Sequence, residues 1–96
     1  MEELAKKAAD FFKDKPVKKA YVFGSTARGE QNLSSDIDIL VDLDYENGAD
    51  FFTFLDMRDQ LSELLQTPVD LVSSNGLSPH IKPHIDQEKK LIYEKS

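Results

Sequence analysis

Asp36 and Asp38 stand one residue apart at the start of the apolar run Ile37-Asp38-Ile39-Leu40-Val41, and Asp70 sits in a second such run, Val69-Asp70-Leu71-Val72. Alternate residues of a strand share a face, with Cα atoms about 6.6 Å apart. Asp36 and Asp38 can therefore bring their carboxylates within about 5 Å, where two unit charges repel by about 3 kcal/mol at an effective dielectric near 20. That is a large part of the roughly 5–15 kcal/mol that holds a domain together. Two remedies exist: protonation of one carboxylate, or a divalent cation between them. Magnesium suits such a site, because it takes one or two carboxylates plus water and substrate phosphates. If the two strands are neighbours, Asp70 joins the same face. Three acids there could hold two metal ions for in-line phosphoryl or nucleotidyl transfer. Solvated acids on the open side of a sheet are the plain alternative, and three acids on adjoining apolar strands weigh against it. An EF-hand loop is a poor alternative, because its central glycine is missing and Ile37, Ile39 and Leu40 occupy loop positions.

Twelve residues before Asp36 a second feature appears, Gly24-Ser25, directly after the apolar stretch Tyr21-Val22-Phe23. Glycine lets a backbone approach a ligand closely, and amides at a helix start favour anions. Ser25 adds a hydroxyl. Gly24 and Ser25 could thus hold the outer phosphates of a nucleotide while the aspartates hold metal. Alone, a Gly-Ser pair is an ordinary strand-to-helix turn. Gly-Ser, ten residues, then Asp-x-Asp arises by chance in a chain this short with a probability of roughly 10⁻³.

The elements that must position these residues are short. Leu4, Ala8 and Phe12 fall at helical spacing over residues 2–14, and Lys15-Pro16 ends that helix. Residues 19–24 read as a strand, 25–30 as a brief helix, 31–35 as a polar loop and 36–44 as the second strand, with Ile37, Ile39 and Val41 on the face opposite the acids. Asn47-Gly48 marks a turn. Asp50 is placed to cap a helix over about 51–66 whose core stripe is Phe51, Phe54, Leu55, Leu61, Leu64 and Leu65. Residues 69–73 form a third strand. Ser78-Pro79 reads as the cap and first residue of a short helix whose regularity Pro83 limits, and residues 89–94 form a last edge strand. The order αβαβαβαβ predicts a small α/β or α+β sheet, parallel or mixed, with helices over one face.

Ninety-six residues fit one domain spanning 1–96. The composition, 40% hydrophobic and 31% charged, is that of an ordinary globule. No apolar run approaches a membrane span, the N-terminus lacks a signal-peptide stretch, and the cytoplasm is the expected compartment. The net charge of −6 disfavours tight, unaided binding of nucleic acid. Lys6, Lys7, Lys18 and Lys19 read as solvated surface, as do His80 and His84, which lack a third ligand nearby in sequence. Phe52 should face away from Phe51 and marks a candidate contact patch for a partner.

Residues 24–41, Gly-Ser-Thr-Ala-Arg-Gly-Glu through Ser-Asp-Ile-Asp-Ile-Leu-Val, strongly resemble the signature of the polymerase-beta-type nucleotidyltransferases. The short length and the wording around Arg28 and Asp36 resemble the minimal nucleotidyltransferases, MNT proteins, encoded beside HEPN-domain toxins as their antitoxins. The resemblance implies a polymerase-beta-like core in which Gly24 and Ser25 contact the triphosphate and Asp36 and Asp38 bind two Mg²⁺ ions. Asp70 would bind the catalytic ion and help deprotonate the acceptor hydroxyl. Arg28 matches the arginine of the signature, as a phosphate contact or an internal ion pair. Gly29 would give the helix its exit. The resemblance further implies transfer of AMP from ATP to a hydroxyl side chain, tyrosine foremost, of a HEPN toxin. Two other readings stand beside it. One is an antitoxin that inhibits by occlusion. The other is a stand-alone nucleotidyltransferase acting on a small molecule or an RNA end.

Overall fold

A computed structural model describes residues 2–29 and 36–95. Helix α1 (Glu2–Phe12) is followed by strand β1 (Val17–Val22), the short helix α2 (Gly24–Arg28) and strand β2 (Ile37–Leu43). Helix α3 (Phe51–Leu65), strand β3 (Val69–Ser73), helix α4 (Lys82–Glu88) and strand β4 (Lys90–Glu94) complete the chain, with single 3-10 turns at Tyr45–Asn47 and Ser74–Gly76. The loop expected over 31–35 lies outside the described residues.

The sheet is mixed, in the order β3-β2-β1-β4. β1 pairs antiparallel with β2 and β4, while β2 and β3 run parallel and are joined across α3, as a parallel connection requires. One face of the sheet carries the core. Val22 of β1, Ile39 and Val41 of β2 and Leu71 of β3 are buried against Ala8 and Phe12 of α1 and Met57 and Leu61 of α3. α2 and α4 pack on one another beside β2.

Most elements match their sequence patterns, and the departures have local causes. α1 stops at Phe12, where the Lys15 amide turns back to the Phe12 carbonyl at 3.0 Å. β1 begins two residues early because Val17 pairs with Leu43 and the Asp44 amide reaches the Pro16 carbonyl at 2.8 Å. It ends early because Gly24 turns the backbone with φ +60°. Asp50 caps α3 as expected, accepting the Thr53 amide at 2.7 Å.

The α3 stripe is corrected. Its buried residues are Met57 and Leu61, with Phe54 and Leu65 packed against the core. Phe51 and Leu64 are exposed, at 68% and 44%, so neither is a core residue. The run 54, 57, 61, 65 keeps a single helical face, and Phe51 and Leu64 lie outside it. Phe52 is exposed beside Phe51, and the two rings meet edge to face.

The start of α4 is corrected as well. Ser78 caps the turn that leads into it, its Oγ accepting the His80 amide at 3.2 Å and its carbonyl the Ile81 and Lys82 amides at 3.0 Å, and the helix itself begins only at Lys82. Pro83 then falls in the first turn, where a missing amide costs nothing. No helix among the described residues is long and apolar enough to cross a membrane.

Leu61 is fully buried at the centre of α3. Leu61→Ala should cost about 2–5 kcal/mol of stability, read as a lower midpoint in urea unfolding with an unchanged slope.

Candidate active site

β2 and β3 settle where the acids go. Their parallel register pairs Ile37 with Val69, Asp38 with Asp70 and Ile39 with Leu71. Paired residues share a face. The apolar pairs point into the core, so Asp38 and Asp70 stand side by side on the opposite face, which is open to solvent at Asp70 and covered at Leu40, their strands about 4.8 Å apart. Asp70 is exposed and Asp38 half-buried. Asp36 precedes the strand and is exposed.

Charge crowding is felt at Asp38. Burial pushes its carboxyl above the usual carboxylate range, and the negative charges of Asp70 and Asp36 push it further, against a smaller opposing pull from Arg28. Among the described residues no three acidic or histidine side chains already converge to cage a metal ion. His80 and His84 are exposed and bring no third ligand.

The turn after β1 is built around Asp38. A Cβ on Gly24 would lie 2.6 Å from Asp38 Oδ2. Glycine is required there twice, for the close approach and for the left-handed φ. The Phe23 amide donates to the Asp38 carbonyl at 3.2 Å, and the Asp38 amide donates to Thr26 Oγ1 at 3.0 Å. Thr26 is buried, and this hydroxyl satisfies a backbone amide that the sheet leaves open. Gly29 ends α2 as expected, in the left-handed region with its amide turned back to the Ser25 and Thr26 carbonyls.

Arg28 forms an ion pair. Its Nη1 lies 2.8 Å from Glu88 Oε2, and Glu88 Oε1 accepts the Gly24 amide at 3.0 Å. The structure thus brings Gly24, Arg28, Asp38 and Asp70 into one region, with Ser25 in the same turn. Glu88 and Thr26 were missed from sequence. Glu88 sits in the charged run Asp86-Gln87-Glu88-Lys89-Lys90, which looks like any solvated stretch, and no spacing signal links it to Gly24, 64 residues away. Thr26 carries one available signal: a β-branched hydroxyl residue one position after Ser25, at the start of a helix.

A model of the polymerase beta nucleotidyltransferase family matches residues 6–96. A Methanocaldococcus jannaschii protein, provisionally named a protein adenylyltransferase, is 38% identical over 95 residues, which are 97% of this chain and 93% of that one. The protein adenylyltransferase MntA of Thermococcus cleftensis is 38% identical over 72 residues, 75% of this chain and 71% of its own. In three dimensions the chain is similar to a chain of the solved complex between a tri-AMPylated Shewanella oneidensis HEPN toxin and its MNT antitoxin. The TM-score is 0.74 at 21% identity, over 98% of this chain and 72% of the other, a likeness of fold.

A mixed sheet with paired aspartates on its open face, together with these likenesses, defines a class: the chain belongs to the polymerase-beta nucleotidyltransferases and is an enzyme of that kind. Within the class it is one of the minimal nucleotidyltransferases, the MNT proteins.

The raised Asp38 carboxyl makes a signed prediction. Above its ordinary value of 3.8 the folded protein binds more protons at Asp38 than the unfolded chain does. Stability then falls as pH rises through the folded value. In metal-free buffer at pH 7, Asp38→Asn should melt a few degrees above wild type. The difference should shrink as pH falls towards 3.8 and fade well below it, where Asp38 becomes protonated in both states. Thermal melts by circular dichroism across this pH range check it.

Proposed function

We propose that this enzyme moves AMP from ATP to a hydroxyl side chain of a HEPN-domain toxin and neutralises the toxin in doing so. The observation that carries the reading is the in-register pair Asp38–Asp70 on an open face, with Gly24 of the signature turn packed on the Asp38 carboxylate.

The residues fit magnesium. A half-buried carboxylate crowded by two other acids is relieved by a divalent cation, and Mg²⁺ leaves its remaining positions to water and substrate phosphates. Asp36, Asp38 and Asp70 would hold two such ions. When bound, these supply neutralisation of the triphosphate and of charge on the attacking and leaving oxygens. The rest falls to the protein. Gly24, Ser25 and Arg28 bind the outer phosphates and fix the direction in which pyrophosphate departs. Asp70, exposed at the rim, takes the proton of the acceptor hydroxyl as its oxygen attacks the α-phosphorus. Bond-making to that oxygen and bond-breaking to pyrophosphate lie in line.

The AMPylated toxin of the related complex supports AMP as the transferred group and a HEPN protein as the acceptor. A net charge of −6 supports a protein acceptor over a nucleic acid. The exposed Phe51–Phe52 pair supports a surface that a partner covers. The cytoplasm, the compartment proposed for it, supplies the ATP this chemistry consumes and the Mg²⁺ it uses.

The test mixes the enzyme with the HEPN protein encoded beside it, ATP and Mg²⁺, and weighs the HEPN protein by mass spectrometry. A gain of whole AMP units is expected. The double variant Asp36→Ala/Asp38→Ala should lose about 10³-fold or more in rate, since the metal contribution is several kcal/mol. No mass gain where the two proteins bind contradicts the reading. Neutralisation that survives in the double variant assigns it to occlusion instead.

A further inference from the structure

Glu88 belongs to none of the roles above, yet its carboxylate holds two of the donors assigned to the nucleotide. We propose that Glu88 is a built-in competitor for the phosphate site: it occupies the Gly24 amide and the Arg28 guanidinium in the free protein and must release them when a triphosphate binds. The inference rests on the reading of Gly24 and Arg28 as phosphate contacts.

The geometry is that of an anion in place. Glu88 Oε1 accepts the Gly24 amide at 3.0 Å and Oε2 accepts Arg28 Nη1 at 2.8 Å, so one carboxylate spends each oxygen on a separate donor. A backbone amide and a guanidinium are the donor types that also recognise a phosphate's oxygens. The Gly24 amide has a single proton and cannot serve the carboxylate and a phosphate at full strength together, and the Arg28 nitrogen held by Glu88 is drawn away from a phosphate in the same way.

A purely structural clip is the rival explanation, and the local packing weighs against it. α2 is already tied to β2 by the Phe23 amide on the Asp38 carbonyl and the Asp38 amide on Thr26 Oγ1. Thr26 and Ala27 are buried, and Gly29 closes the helix with its own amide. Nothing in that scaffold needs Glu88. The ion pair is also easy to open. The Arg28 and Glu88 side chains are 48% and 32% exposed, and a pair so wetted contributes about 0–1 kcal/mol. Glu88 is the last residue of α4, and Lys89 beyond it is extended, so the carboxylate sits at the end of the helix rather than within it. Its charge acts in the same sense as its contacts, since it adds a negative group to a region that must accept a polyanion.

The competition predicts an affinity change opposite in sign to loss of a clip. The probe is α,β-methylene-ATP with Mg²⁺, blocked at the bond that AMP transfer breaks, and binding is measured by isothermal titration calorimetry. Glu88→Gln keeps an oxygen for the Gly24 amide and removes the charge, whereas Glu88→Ala removes both. Each variant should bind the analogue about three- to tenfold more tightly than wild type. Unchanged or weaker binding in both overturns the proposal, as does failure of either variant to fold, judged by its thermal melt. Arg28→Ala separates the two layers. If it leaves wild-type affinity unchanged, or if neither wild type nor Glu88→Gln binds the analogue, the phosphate reading itself falls. If Arg28→Ala weakens binding but the Glu88 variants do not strengthen it, only the competition falls.

Discussion

The register between β2 and β3 is the constraint on which the rest depends. In that alignment Val69 and Leu71 are buried beside Ile37 and Ile39, and Asp38 and Asp70 are left as neighbours on the other face. Burying a Val or Leu side chain contributes about 1.5–3 kcal/mol each. Against this stands the repulsion of two neighbouring carboxylates, weakened by solvent because Asp70 is exposed. The apolar pairs therefore outweigh the repulsion, and they do so without relieving it. A slip of one residue would turn Asp70 into the core and Val69 and Leu71 out of it, so no relaxation by sliding is open. The sheet stays folded with its charges crowded, a state that a divalent cation improves. Structure and function meet in that residual cost.

A second dependence runs from Asp38 to the turn. Its amide and its carbonyl both hold α2, and its carboxylate fills the space that a side chain at position 24 would need. The metal-binding candidate and the phosphate-binding candidate are thus one mechanical unit. A shift of the Gly24 turn therefore moves Asp38 with it.

Much of this was legible in the sequence, for identifiable reasons. β3 and the Asp50 cap were readable because period-two alternation and capping chemistry are local. Gly29 was readable because a helix exit calls for a left-handed residue. The pairing of Asp38 with Asp70 followed once the strands were taken as neighbours. What failed was non-local or a matter of phase. Phe51 matched a helical stripe in type, but Met57 sets the phase of the face that meets the core. Ser78-Pro79 carried a helix-start signal that served a preceding turn instead. The sequence does not choose between two roles for Arg28, because its partner, Glu88, lies 60 residues on in a run of ordinary charge.

The central claim is that Asp36, Asp38 and Asp70 share divalent ions with a bound triphosphate. Anomalous diffraction from crystals grown with Mn²⁺ and α,β-methylene-ATP tests it most directly. Two anomalous peaks about 3.5–4 Å apart, each touching Asp36 and Asp38 and one also touching Asp70, are the predicted result. Nucleotide bound with no peak at these carboxylates, or peaks that leave Asp70 out, would contradict it.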